Sequence, residues 1–184
     1  MKQWIPLPGA LGRICHHPCE FQCNRNEVDQ PLAIRPIKRF VADIVRDKRA
    51  IGELPAEPKF EIDYSKPKIA VVGSGPSGLT CAQDLAKKGY PVTIFEAASR
   101  PGGQLMNAIP QYRLPKEALE VEINEIIDSG IELKLNTPIG KQQSLDDLKK
   151  QGYEAIYLAV GAQKSRSLPI EGQIFLKLLF NYFN

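Results

Sequence analysis

One stretch limits the fold of this 184-residue chain more than any other: KIAVVGSGPSGLTCAQDLAKKGYPVTIFEA, residues 68–97. An apolar run from Ile69 to Val72 leads directly into Gly73, Gly75 and Gly78, spaced G-x-G-x-x-G. A helical pattern to about Lys88 and a second apolar run from Val92 to Phe95 follow. Strand, glycine turn, helix and strand in this order read as a βαβ unit, which demands a parallel sheet. Each glycine answers a geometric need: Gly73 permits the tight turn, Gly75 bares the backbone where a phosphate approaches, and Gly78 lets the helix sit close to the sheet. Pro76 suits the first helical turn and Ser77 follows it, so the unpaired N–H groups and positive dipole end of the helix face an anion.

Glu96 ends the second apolar run, eighteen residues after Gly78. A carboxylate there accepts hydrogen bonds from ribose hydroxyls and repels a 2′-phosphate, so the first nucleotide site reads as FAD or NAD rather than NADP. Directly after it, in EAASRPGGQL, Gly102 and Gly103 form a second glycine pair able to admit more of a bound nucleotide, and Arg100 is placed to meet its phosphates or adenine.

The rest of the chain supports one doubly wound α/β domain with a helical, cysteine-containing segment before it. Residues 1–30 are rich in Pro, Gly and Cys without a sustained apolar period and read as irregular, shaped by ligands rather than by a core. Ile34, Ile37, Val41, Ile44 and Val45 recur at helical spacing and predict a helix to about Val45 that packs on something. Residues 51–67, with Gly52, Pro55, Pro58 and Pro67 among charges, read as a linker. After the long loop from Ala97 to Pro115 come a helix bearing Leu119, Ile123, Ile126 and Ile127, an alternating strand Ile131–Leu133–Leu135, a short helix around Leu145 to Leu148, and a buried strand from Ala155 to Val160. The predicted units are a cysteine segment over 1–50, a linker over 51–67, a nucleotide domain over 68–172 and an atypical apolar tail over 173–184. That tail reads either as a terminal element packing on a neighbour or as a frame change or truncation at about Gln173.

With 43% hydrophobic and 24% charged residues the chain is ordinary globular material. A net charge of +3, spread without a basic run, gives no reason to expect nucleic acid. No basic start precedes a long apolar stretch, so no secretory leader or membrane partner is expected, and the expected compartment is the cytoplasm. Cys15, Cys19 and Cys23 crowd into nine residues of GRICHHPCEFQCNR, which favours metal over disulfides. The residues leave three readings open: an iron–sulfur centre, a structural loop without metal, and zinc assisted by His16 and His17. Cys81, inside the helix after the glycine turn, reads as a small buried residue. No acid, base or nucleophile stands out as catalytic.

These strings, together with AIPQYRLPK and IYLAVGA, resemble the FAD domain of the glutamate synthase small subunit and of related flavoproteins, including the N-terminal part of dihydropyrimidine dehydrogenase, over about residues 5–172. The resemblance implies a Rossmann-like domain that places Glu96 on the adenosine ribose, Gln104 and Leu105 near the flavin end, Arg113 near the flavin or pyrophosphate, and Gly161 as a second FAD-contacting glycine. It implies 4Fe-4S clusters in the intact parent, with positions like Cys15 and Cys19 serving one and Cys23 the other. Their remaining ligands would come from an upstream cysteine group that this sequence lacks, and Leu11 stands where some relatives have cysteine. It further implies NADPH or NADH as electron donor, bound by a second nucleotide domain beginning shortly after residue 172, and a larger catalytic or electron-accepting subunit as partner. The competing expectations are a non-catalytic FAD-binding or assembly module and a truncated product without turnover.

Overall fold

The computed structural model describes residues 4–162. Its first helix, Pro8–Ile14 (α1), opens on a proline, whose fixed φ suits a first turn. No side chain next to it caps the helix. Instead Gly9 and Ala10 donate their N–H groups to the carboxylate of Glu122, at 2.5 and 2.9 Å. A short helix Pro18–Phe21 (α2), a 3-10 turn Asn24–Glu27 and the helix Ile34–Ala50 (α3) follow. The reading of residues 1–30 as irregular is therefore corrected. Their glycines serve close packing: a Cβ on Gly12 would lie 2.7 Å from the α-carbon of Arg39, where α1 crosses α3. That crossing is pinned by Arg13, whose guanidinium donates to the Asp43 carboxylate at 2.8 and 3.0 Å.

α3 runs one turn past the predicted end, and its last turn is held by Arg49, which pairs with Glu57 and Glu125 at 2.9 Å each. None of its residues is buried, however. Of the apolar stripe read from the sequence, Ile34 and Val45 are half-buried and Val45 lines a groove with Pro8 of α1, whereas Ile37 remains 54% exposed, so the stripe docks only in part.

The strand Lys68–Val72 (β1), helix Pro76–Lys87 (α4) and strand Val92–Phe95 (β2) form the βαβ unit. A four-residue helix Gln104–Asn107 (α5) interrupts the long loop, followed by Lys116–Ile127 (α6), Glu132–Lys134 (β3), Leu145–Lys150 (α7) and Tyr153–Leu158 (β4). The four strands are all parallel, in the order β3-β2-β1-β4. β1 and β2 are buried almost throughout, as continuous apolar runs in a parallel sheet require. Helices cover both faces of β1 and β2: Val71 and Ile94 pack with Leu79 of α4 and Ile123 of α6, whereas Val72 and Phe95 pack with Leu148 of α7. β4, however, expected as a buried strand over 155–160, is buried only at Tyr153. The chain reverses direction of winding between β1 and β4, the switch point beyond whose carboxyl ends open α/β sheets bind their ligands.

The segment read as a linker is docked under the sheet. Phe60 donates its N–H to Ser129 O (2.8 Å) and Asp63 donates to Gly89 O (2.9 Å). Among the described residues no helix is long and apolar enough to cross a membrane. Residues 173–184, and the end of the predicted nucleotide domain from 163, lie outside the described residues.

Candidate functional site

Beyond β1 the chain turns at Gly73, whose φ of +104° is left-handed and whose N–H bonds to Phe95 O at 2.8 Å. A methyl on Gly73 would overlap the carbonyl of Ala159, and one on Gly78 the carbonyl of Gly73. These two glycines are thus fixed by the protein's own packing. Gly75 is different. Its φ is −66°, a conformation any residue adopts, and among the described residues a Cβ there would meet nothing within 4 Å. No described residue accounts for the missing side chain. Gly75 is also the N-cap of α4, and no side-chain hydrogen bond caps that helix end, where the dipole is positive. Ser77 shares a 3.0 Å hydrogen bond with the Tyr157 hydroxyl on β4.

Glu96 sits where β2 ends, with its backbone pinned to the next strand: it donates to Lys134 O and accepts from Thr137 N, both at 2.8 Å. Its carboxylate is held by three donors. The N–H and hydroxyl of Ser74 both donate to Oε2 (2.8 and 2.5 Å), and Ala98 N–H donates to Oε1 (2.8 Å). A carboxylate offers about four acceptor positions, which leaves one for a further donor.

The second glycine pair lies against the first turn. Gly102 donates its N–H to Ser74 O at 3.0 Å, and a Cβ on Gly103 would stand 3.0 Å from the α-carbon of Gly75. From there α5 begins with an exposed Gln104, while the side chain of Leu105 is buried in the core. Lys116, the first residue of α6, donates to the carbonyls of Met106 and Ile109 and so holds the far end of α5. The structure therefore brings Gly73, Gly75, Pro76, Ser77, Gly78, Glu96 and Gly103 together. Arg100 and Arg113 are exposed on the loop, and Gly161 is exposed after β4 with a φ of +67°. Sequence reasoning missed Ser74 and Glu122. Glu122 carried a signal, as a charge at the core spacing of Leu119, Ile123 and Ile126.

The cysteines present another picture. Cys15 ends α1 and its Sγ accepts the N–H of His17 at 3.4 Å, Cys19 is exposed on α2, and Cys23 precedes the 3-10 turn. Glu20 pairs with His17 Nδ1 at 3.1 Å and accepts Arg35 N–H at 2.7 Å. Among the described residues no three His, Cys, Asp or Glu side chains gather into a metal-binding group. Cys15, Cys19 and Cys23 alone thus do not fit a closed cluster or zinc site. Cys81 is half-buried, and burial, with a smaller contribution from Asp84, pushes its thiol up.

Two families match the chain. The NAD(P)-binding Rossmann-like domain covers residues 71–122, and dihydropyrimidine dehydrogenase domain II, 4Fe-4S cluster, covers residues 1–50. The β subunit of the NADP(+)-dependent formate dehydrogenase of Moorella thermoacetica is 40% identical over 94% of this chain and 27% of its own length. The glutamate synthase [NADPH] small chain of Bacillus subtilis is 38% identical over 91% of this chain and 33% of its own. The chain is a homologue of these oxidoreductase subunits. The PreT subunit of the NAD-dependent dihydropyrimidine dehydrogenase of Escherichia coli O157:H7 is 36% identical over 88% of this chain and 39% of its own. Against these three the chain spans roughly a quarter to two fifths of the relative's length. Among solved structures, Mycobacterium tuberculosis FprA in complex with NADPH aligns with a TM-score of 0.52 and 26% identity, over 59% of this chain and 26% of FprA.

Proposed function

We propose that the chain is the FAD-binding part of an NAD(P)H-dependent oxidoreductase, carrying electrons from reduced pyridine nucleotide through flavin to an iron–sulfur centre or a partner subunit. The carrying observation is Gly75: a bare N-cap, next in sequence to the Ser74 that holds Glu96, where among the described residues neither conformation nor packing asks for glycine. Residues 68–172 form the nucleotide domain in this reading, and 1–50 an iron–sulfur-type segment joined through 51–67. The homologues' names, formate dehydrogenase, glutamate synthase and dihydropyrimidine dehydrogenase, favour an oxidoreductase over a passive assembly module.

The residues present fit a dinucleotide. Gly75 admits the pyrophosphate, the first turn of α4 supplies N–H donors without needing a cationic side chain, and Oε1 of Glu96 accepts a ribose hydroxyl. In this reading Gly103 and Gln104 lead from the phosphates toward the flavin end, and the exposed Arg100, Arg113 and Gly161 are further cofactor contacts. Bound FAD supplies the hydride and single-electron chemistry. No side chain need act as acid or base. The cysteines do not complete a ligand set, so no step is assigned to a cluster held by these residues alone; in the whole protein a 4Fe-4S cluster takes further ligands from elsewhere.

The names "subunit beta" and "small chain" of the homologues support a larger catalytic or electron-accepting subunit as partner. Free thiols at Cys15, Cys19, Cys23 and Cys81 go with a reducing, cytoplasmic setting. Titration of the purified chain with FAD tests the reading: one flavin per chain, with a shifted visible spectrum, is expected. A protein that stays colourless after FAD addition and gel filtration overturns it.

A further inference from the structure

We infer that Ser74 is a positioning residue for nucleotide recognition: its hydroxyl sets the carboxylate of Glu96 to read the ribose, and its carbonyl ties that carboxylate to the Gly102–Gly103 side of the site. The inference rests on the nucleotide reading of the glycine turn.

Ser74 lies between the first two glycines and is fully buried, at 0% exposure. Each of its polar groups is engaged, and toward two different elements. Its N–H and hydroxyl converge on the same oxygen of Glu96, and its carbonyl receives the Gly102 N–H. The same N–H also reaches the Ser74 hydroxyl oxygen at 3.3 Å. A glutamate side chain is long and loses considerable rotamer freedom when a ligand immobilises it. Here that freedom is removed before any ligand arrives, by Ser74 on Oε2 and Ala98 on Oε1. Preorganisation of this kind raises affinity by cutting the ordering cost, and it sharpens discrimination because the acceptor cannot swing to suit a different sugar.

The arrangement also links two halves of the site. Gly102 is buried and carries a φ of +115°, and its neighbour Gly103 abuts Gly75. Displacing Ser74 therefore loosens the ribose acceptor and the second glycine pair together. Sequence spacing assigns no role to this position, because in G-x-G-x-x-G it is one of the unspecified residues.

The test uses the full chain and three nucleotide probes: ADP, 2′-deoxy-ADP and 3′-deoxy-ADP, with dissociation constants from calorimetry. The wild type is expected to prefer ADP over one deoxy analogue by about tenfold or more, the worth of a hydrogen bond to a charged acceptor. Glu96→Gln should abolish most of that preference. Ser74→Ala should lower the ratio several-fold, and combining it with Glu96→Gln should change the ratio no further. Ser74→Cys, which keeps a side chain and a weak donor in the same buried space, should fall between and covers the case in which the alanine variant folds poorly. If Ser74→Ala or Ser74→Cys weakens all three nucleotides by the same factor, or leaves every constant unchanged, the positioning role is overturned. If the wild type binds ADP without discrimination, or not at all, the nucleotide reading itself fails, whatever Ser74 does.

Discussion

The Oε1 atom of Glu122 accepts the backbone N–H of Gly9 at 2.5 Å, joining α6 of the nucleotide domain to the first helix across 113 positions of sequence. Oε2 takes the next N–H, of Ala10. The carboxylate does for α1 what an N-cap side chain does locally, and does it at a helix end where negative charge is favoured. Glu122→Ala leaves these buried donors unpaired, and we expect a loss of about 2–4 kcal/mol in urea unfolding. Glu122→Gln keeps one acceptor and should cost less.

Gly12 touches the backbone of Arg39, so a side chain there has no flexible neighbour to push aside. Gly12→Val should separate α1 from α3 at a cost of about 1–3 kcal/mol. Limited proteolysis reads it directly: cleavage within residues 1–50 should quicken while the sheet core stays resistant.

Two glycines of the turn predict opposite outcomes for the same substitution. Gly75→Ala puts a methyl where no described residue lies within 4 Å, so stability should stay within about 0.5 kcal/mol of wild type. FAD affinity should nonetheless fall more than tenfold. Gly78→Ala overlaps the Gly73 carbonyl and should lower both stability and affinity. Thermal unfolding and flavin titration on the two variants separate these cases.

Glu132 is held below its ordinary value of 4.5, first by the Thr93 hydroxyl that donates to it at 2.7 Å and then by Lys134 and Lys68. A depressed carboxyl contributes stability above its unfolded value, and that contribution is lost as pH falls through the folded value. Thr93→Val should therefore flatten the pH dependence of stability below about pH 4.5, in addition to stranding the Tyr153 hydroxyl that donates to Thr93. Equilibrium unfolding at several pH values between 3 and 7 checks the slope, with about 4.5 as the value where the difference begins.

The sequence by itself determined the strand–turn–helix–strand unit and its glycines. β2 is observed over Val92–Phe95 as expected, and β1 gains only Lys68. These features are local: a buried parallel strand is a continuous apolar run, and a left-handed or crowded backbone position favours glycine. What the tertiary structure alone decided is how distant groups complete one another. α1 was unreadable because its N-terminal donors are satisfied by Glu122, far along the chain, and its glycines make room for distant groups, Gly9 for Glu122 and Gly12 for Arg39. That α3 docks was expected from its apolar stripe, but the ion pairs that pin it, Arg13 with Asp43 and Arg49 with Glu125, come from partners far away in sequence. The same physics governs the site. Spacing named Glu96, but only the fold shows that Ser74, buried and fully engaged, fixes which of its oxygens a ligand can reach.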